Sequence, residues 1–333
     1  MTVYDALNRI AGGGDLTASE AEQVMGTLMI GEVHHGVIGG LLVGMQVKGV
    51  TGAELAGFAT AMRKRAVRYE FDTPDLVDTC GTGGGRASFN LSTGAAILAA
   101  ACGAKVAKHG NRAVTSFCGS ADVLEALGIP IEGTLEEQWR RLDETGLVFL
   151  YAPNHHPAMR HVAPVRKALQ MRTFFNLLGP LSNPAGANRQ LIGIYDPRDL
   201  DRVAEALTKL DIEHAFVVHG RDGMDEVSPC TETEFREVKG GRVTAGVWSP
   251  NDFAMLPLDG PALAHGADIG ENAAILREAL TEKDSPRSAA LIPNTAVTLV
   301  LAGIAVDVAD GAMRARAAVA SGDAARLLGK LAG

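Results

Sequence analysis

Residues 77–125 read VDTCGTGGGRASFNLSTGAAILAAACGAKVAKHGNRAVTSFCGSADVLE, and the pattern inside this run decides the fold. An apolar stub, Leu76 and Val77, breaks at Asp78 into Gly81-Thr82-Gly83-Gly84-Gly85, and helical character returns from about Ser92 through Ala101. The order is strand, glycine loop, helix. Such a loop lets successive backbone N–H groups converge on an anion while the helix behind it adds the positive end of its dipole, so phosphate is the natural guest. Asn90, Ser92 and Thr93 stand at the helix start, where each can cap the helix or touch a phosphate or metal-bound oxygen. A second strand, Ala104 to Ala107, delivers Lys108-His109-Gly110-Asn111-Arg112 into another loop, followed by Thr115, Ser116, Gly119 and Ser120. A glycine cluster alone is more often a turn than a ligand site. This one lacks the Gly-Lys-Ser/Thr of a Walker loop and the GxGxxG spacing of a dinucleotide site. The cation-bearing loop that follows the neighbouring strand is what favours phosphate.

Outward from this run, the chain before it reads as helices. Thr17 with Glu20 and Thr51 with Glu54 match the capping box, in which each residue's side chain satisfies the other's free N–H. Val24, Leu28, Met29, Ile38, Leu41, Leu42 and Met45 recur at helical spacing, and glycines 36, 39, 40 and 44 permit close helix contacts. His34 and His35 lie beside this apolar surface, which suits a dimer face; two adjacent histidines are more often a solvated corner than a metal pair. After the run, strands are expected at Val148–Tyr151, Gln190–Tyr195 and Ala215–Val218, with helices between, further strands within 231–243, and helices from about Glu271 to the end. Short apolar strands separated by helices predict a parallel sheet covered on both faces. The segment Asn154 to Arg172 breaks the alternation with a polar helix ending near Gln170, and reads as a return to the helical part. The expected fold is therefore α/β: a small all-helical domain, residues 1–70 with a returning segment about 158–182, plus a larger α/β domain with a mostly parallel central sheet, residues 71–157 and 183–333.

Composition excludes several classes. Apolar residues make up 47% and charged residues 21%, as in an ordinary globular enzyme. The net charge of −8 repels nucleic acid and anionic membrane. The four cysteines, at 80, 102, 118 and 230, show no CxxC or Cys/His metal spacing, which fits a reducing cytoplasm. The start Met-Thr-Val-Tyr-Asp has no basic, apolar leader, and the apolar runs fall short of a membrane span.

Asp225 and Glu226 follow the strand at 215–218, and ligands of an open α/β sheet sit at strand carboxyl ends. An acidic pair by itself reads as a solvated turn. Beside two phosphate-type loops it suits Mg2+, which joins one or two carboxylates to substrate phosphates. Arg160, Arg166 and Arg172 are six residues apart, so on one continuous helix they spread around it and at most one or two face the cleft; such an arginine can grip a carboxylate with two parallel hydrogen bonds. No nucleophile and base stand together, and no Gly-x-Ser-x-Gly elbow occurs. That favours catalysis by positioning and charge stabilisation.

These residues spell a known pattern. Asp78 to Gly84, KHGNR at 108–112, Gly119 to Glu125, HHPAMRHVAPVRK from His155, FNLLGPLSNP from Phe175 and GMDEVS from Gly223 occur in order, and the sequence resembles the anthranilate phosphoribosyltransferase family over nearly its whole length. The resemblance implies transfer of the phosphoribosyl group of 5-phosphoribosyl 1-diphosphate to anthranilate, in a cytoplasmic homodimer joined through the helical domain. It implies phosphoribosyl diphosphate at Gly81, Thr82, Gly84, Asn90, Ser92, Thr93, Lys108 and Ser120. Anthranilate would lie at Gly81, Asn111 and Arg166, and Mg2+ at Ser92, Asp225 and Glu226. One departure stands out: the family's GTGGD loses its aspartate here, and the loop has one residue fewer before Asn90. The alternatives are a phosphorylase or phosphoribosyltransferase acting on another aromatic base, and the family's non-catalytic nucleic-acid-binding branch, which lacks the acid pair and carries basic surfaces.

Overall fold

Four capped helices open the chain in a computed structural model that describes residues 1–69, 71, 73, 75–113 and 118–333: α1 (Val3–Ala11), α2 (Ala18–Leu28), α3 (His35–Lys48) and α4 (Gly52–Arg65). Thr115 and Ser116, named above, lie outside the described residues. Thr2, Thr17 and Thr51 each cap a helix with the side-chain oxygen and donate the backbone N–H to the acid three residues on; a cap of this kind contributes about 1 kcal/mol. Glu54 does more than cap. Fully buried, its carboxylate accepts from Leu16 N and Thr51 N, both at 2.8 Å, and from Lys48 Nζ at 2.9 Å. Cutting such a pair on one side costs about 3–5 kcal/mol because the other charge stays buried. Gly40 and Gly44 lie against Leu7 and Ile10, so α3 packs closely on α1, and Gly57 brings α4 onto the α2 backbone at Ala18.

Strands and helices then alternate: β1 (Val77–Thr79), α5 (Leu91–Ala101), β2 (Val106–Gly110), α6 (Ser120–Ala126), α7 (Leu135–Thr145) and β3 (Leu147–Tyr151). The short helices α8 (Ala152–His155), α9 (Ala163–Leu169) and α10 (Phe175–Leu178) interrupt the pattern before β4 (Arg189–Gly193), α11 (Leu200–Thr208), β5 (His214–Gly220), β6 (Thr233–Lys239) and β7 (Arg242–Trp248). The chain closes with α12 (Ile269–Thr281), α13 (Pro286–Leu301), α14 (Val308–Ala320) and α15 (Asp323–Ala332). The seven strands form one sheet in the order β3-β2-β1-β4-β5-β6-β7. It is parallel from β3 through β5, and β6 and β7 add antiparallel to that edge. This is the small helical part and mostly parallel sheet that the sequence predicted.

Alternation along the strands divides the core. Leu191, Phe216 and Val218 face a layer built from α5, α6 and α12 to α15, whereas Ile192, Ala215 and Val217 face the opening helices and α11. The two parts therefore share packed apolar surface on that face. The returning segment joins the same core through Val162, Val165, Phe174, Phe175, Leu178 and Leu181. The sequence places a polar helix there ending near Gln170, and α9 ends at Leu169 with Gln170 following at φ +50°; a 3-10 turn at Pro157–His161 precedes it. Pro157 and Pro164, each in the first turn of its own element, carry no N–H to donate, so each starts a helix better than it continues one.

Candidate functional site

The carboxyl ends of β1, β4 and β5 meet at the glycine loop, where an open α/β sheet holds its ligands. Thr82 N donates to Gly193 O at 2.8 Å, and Thr82 Oγ1 accepts from Tyr195 N at 3.0 Å, so the loop is laid across the end of β4. Gly83 N donates to Asp225 Oδ2 at 2.8 Å and Arg86 N to Gly223 O at 2.8 Å, which lays it across the turn after β5 as well. Gly83 and Gly84 both have positive φ, +66° and +86°, a conformation natural only to glycine. Gly81 lies so close to Asp225 that an added Cβ would stand 2.8 Å from Oδ2. Gly85 also packs against Asp225 with no room for a Cβ.

Beneath the loop, Lys108 rises from β2 into a buried position. Its Nζ donates to Thr79 O and stands 3.4 Å from both Thr79 Oγ1 and Ser92 Oγ, joining β2, β1 and the start of α5. Burial pulls the Lys108 pKa down, with Cys80, Asp78 and Glu226 pulling it back. Asp78 is buried too, with Oδ1 accepting from His109 N at 3.1 Å and Oδ2 without a partner among the described residues. Burial lifts its pKa to about 6 against the opposing charge of Lys108. Asn90 occupies the cap position of α5 but makes no side-chain cap; its Nδ2 donates to Cys118 O at 3.0 Å, and its buried Oδ1 has no partner among the described residues. That orphan acceptor sits at the helix start with Ser92 and the buried Thr93.

The second loop is less available than its sequence suggested. Arg112 is committed to Asp122, at 3.1 Å, and to Glu125. Asn111 is exposed; its carbonyl accepts from Ser120 Oγ at 3.3 Å and its Oδ1 from Arg112 N at 2.8 Å. Lys108 is thus the cation of this run that reaches the glycine loop's helix.

Asp225 and Glu226 are half-buried rather than fully solvated. Burial raises both carboxyl pKa values, and the charge of Asp225 raises Glu226 further. Among the described residues neither forms an ion pair; Glu226 Oε2 accepts from Ser88 Oγ at 3.3 Å. Gly81, Ser92, Asp225 and Glu226 line one small cavity. Asn294 on α13 fixes the next residue, its Oδ1 accepting from Val227 N at 2.9 Å and its Nδ2 donating to Val227 O at 3.0 Å.

The three arginines part company because α9 is short. Arg160 is exposed in the 3-10 turn. Arg166 on α9 is half-buried with its guanidinium 5.1 Å from the Phe175 ring, and among the described residues no carboxylate pairs with it. Burial lowers its pKa. It makes no hydrogen bond or ion pair with the glycine loop. Arg172, beyond the helix, does reach that loop, donating to the Gly83 carbonyl.

Two family models divide the chain. Residues 4–66 match the helical bundle domain of a glycosyl transferase family, and residues 73–325 match its a/b domain. The chain is 44% identical over 328 residues to the anthranilate phosphoribosyltransferase of Desulfatibacillum aliphaticivorans, covering 98% of this chain and 96% of that one. The chain belongs to the anthranilate phosphoribosyltransferases. The crystal structure of the Thermus thermophilus enzyme superimposes with a TM-score of 0.90 at 41% identity, covering 98% of both chains. The Saccharomyces cerevisiae anthranilate phosphoribosyltransferase in complex with PRPP and Mg gives a TM-score of 0.88 at 26% identity, covering 99% of this chain and 96% of that one.

As a member of the anthranilate phosphoribosyltransferases the chain invites a test for Mg2+. Among the described residues no three His, Cys, Asp or Glu side chains are grouped to hold a metal. Asp225 and Glu226, half-buried, without cation partners and beside Ser92, still fit an ion that completes its shell with phosphate oxygens and water. Sequence reasoning missed Thr79, Ser88 and Asn294, and named Arg172 only as one of three arginines of which one or two face the cleft. Thr79 and Ser88 flank the glycine loop and were readable as short polar neighbours. Asn294 lies 67 residues from its partner, with no local signal.

Proposed function

We propose that the protein transfers the 5-phosphoribosyl group of 5-phosphoribosyl 1-diphosphate to the amine of anthranilate, giving N-(5-phosphoribosyl)anthranilate and diphosphate, a step of tryptophan biosynthesis. The observation that carries the reading is the adjacency of two binding chemistries. The segment bearing Arg166, a half-buried guanidinium with no carboxylate partner among the described residues, continues to Arg172, which touches the glycine loop.

The roles follow from chemistry. The Gly81–Gly84 loop and the start of α5, with Asn90, Ser92 and Thr93, hold the phosphoribosyl diphosphate, Lys108 adds positive charge beneath, and Ser120 extends the site from α6. Arg166 takes the anthranilate carboxylate, with Gly81 and Asn111 beside the ring. Ser92, Asp225 and Glu226 hold Mg2+, which when bound offsets charge on the departing diphosphate. The ribose C1–O bond breaks as the C1–N bond forms, and the amine loses a proton. An aromatic amine is an uncharged nucleophile near neutral pH, so the absence of a strong base beside the site is no obstacle. Position and charge do the work.

We also read the protein as a cytoplasmic homodimer. Tyr4, Val43 and Val47 are exposed apolar residues on α1 and α3, and the four cysteines are free. Val47→Glu is expected to shift the light-scattering mass from dimer to monomer. The reaction itself is tested by offering anthranilate, aniline and inorganic phosphate separately with phosphoribosyl diphosphate and Mg2+. Anthranilate alone is expected to be consumed efficiently; equal use of aniline would remove the carboxylate role, and preferred use of phosphate would favour a phosphorylase.

A further inference from the structure

Arg172 forms no ion pair among the described residues, and its guanidinium is held by one ring and two loop carbonyls. Its guanidinium lies 4.3 Å from the Tyr195 ring, and Nη2 donates to Gly83 O and lies 3.4 Å from Thr82 O. The backbone N–H of the same Tyr195 is bound to Thr82 Oγ1. Consecutive peptides of the loop are thereby fixed. Thr82 N is tied to Gly193 O, the Thr82–Gly83 peptide is gripped at its carbonyl by Arg172 and at its N–H by Asp225, and the Gly83 carbonyl is gripped by Arg172 again. The C=O and N–H of a trans peptide point in opposite directions. A guanidinium that draws the Gly83 carbonyl to one side therefore aims the Gly84 N–H to the other, and that N–H has no partner among the described residues. A Cβ at Gly84 would fall on the Arg172 guanidinium, so this glycine is required by the arginine as well as by its φ.

We propose that Arg172 is a positioning residue for phosphoribosyl diphosphate, setting the peptide planes of Thr82–Gly84 so that free loop N–H groups face the diphosphate. Through the two residues that separate it from α9, it also ties that loop to the segment bearing Arg166. The inference rests on the reading of the glycine loop as the diphosphate site. Arginine suits the task better than lysine, because a planar guanidinium stacks on the Tyr195 ring while its Nη2 reaches both carbonyls, and a compact ammonium has no face to stack.

The test compares wild type with Arg172→Ala, Arg172→Lys and Tyr195→Leu; the last removes the stacking shelf and leaves the backbone bond to Thr82. Each is measured for the KM of both substrates, kcat, melting temperature and hydrogen exchange of the peptide covering residues 81–86. Both Arg172 variants are expected to raise the KM for phosphoribosyl diphosphate about ten-fold or more, the scale of a lost charge-assisted grip. The anthranilate KM at saturating phosphoribosyl diphosphate should stay unchanged, and exchange of the unliganded loop should quicken. Tyr195→Leu should move in the same direction by less. A wild-type KM in Arg172→Lys would reduce the role to charge and overturn the proposal, as would unchanged loop exchange in all three variants. If Arg172→Ala does not fold, the lysine and Tyr195 variants decide alone. Failure of wild type to bind phosphoribosyl diphosphate would instead overturn the reading of the loop.

Discussion

Replacing Arg166 by alanine separates the two substrates. The guanidinium is half-buried against Phe175 with no carboxylate of its own among the described residues. A hydrogen bond to a charged group contributes about 1.5–3 kcal/mol, and at about 1.4 kcal/mol per decade its loss should lower kcat/KM for anthranilate about ten- to 150-fold. The same change removes a cation–π contact of about 0.5–1 kcal/mol, a modest loss for the fold. Nothing in the structure joins Arg166 by hydrogen bond or ion pair to the glycine loop, so the KM for phosphoribosyl diphosphate should stay within about two-fold, below the 0.5 kcal/mol scale of ordinary surface effects. Steady-state kinetics varying one substrate at a time give both numbers, and a melting curve checks the fold. Equal losses for the two substrates would refute the assignment of Arg166 to the anthranilate carboxylate.

The remaining expectations concern the acids and their supports. Asp225→Asn combined with Glu226→Gln should abolish turnover while leaving the melting temperature near or above that of wild type, because burial already disfavours both charges; full activity at ordinary Mg2+ would count against the metal role. Asn294→Ala removes two bonds from the Val227 backbone and leaves its N–H and C=O buried and unpaired, which should cost about 2–4 kcal/mol in denaturant unfolding and raise the Mg2+ requirement. Asp78, with a folded pKa of about 6 against an ordinary 3.8, binds its proton more tightly when folded. Its contribution to stability therefore falls as pH rises from about 4 to 6 and stays lost above that, by at most about 3 kcal/mol. Asp78→Asn should accordingly gain stability over wild type at pH 8 and show little difference at pH 4; a gap that does not change with pH would show that Asp78 folds without a raised pKa.

Local signals in the sequence carried the frame and a good share of the site. The capping threonines at 17 and 51, the alternation of strand and helix after residue 76, and the glycine loop before Ser92 are short-range patterns, and each appears in the structure where it was read. The Asp225-Glu226 pair was legible as a strand-end feature, but its half-burial was not, because the groups that cover it come from the glycine loop and α13. Arg166 and Arg172 looked equivalent by spacing. The left-handed Gln170 ends α9 between them, so that one arginine lies on Phe175 and the other on the loop. Arg112 looked like a free cation because its partners, Asp122 and Glu125, lie one helix further on. Long-range partners and helix breaks decide which charges are free, and neither is written in local pattern.

The central claim is tested most directly by mixing the purified protein with anthranilate, 5-phosphoribosyl 1-diphosphate and Mg2+ and following anthranilate fluorescence, product mass and released diphosphate together. The account predicts that anthranilate disappears as a species with the mass of N-(5-phosphoribosyl)anthranilate accumulates, with one diphosphate released per product. Diphosphate release without that species, or no reaction with anthranilate while another aromatic base is ribosylated, would contradict it.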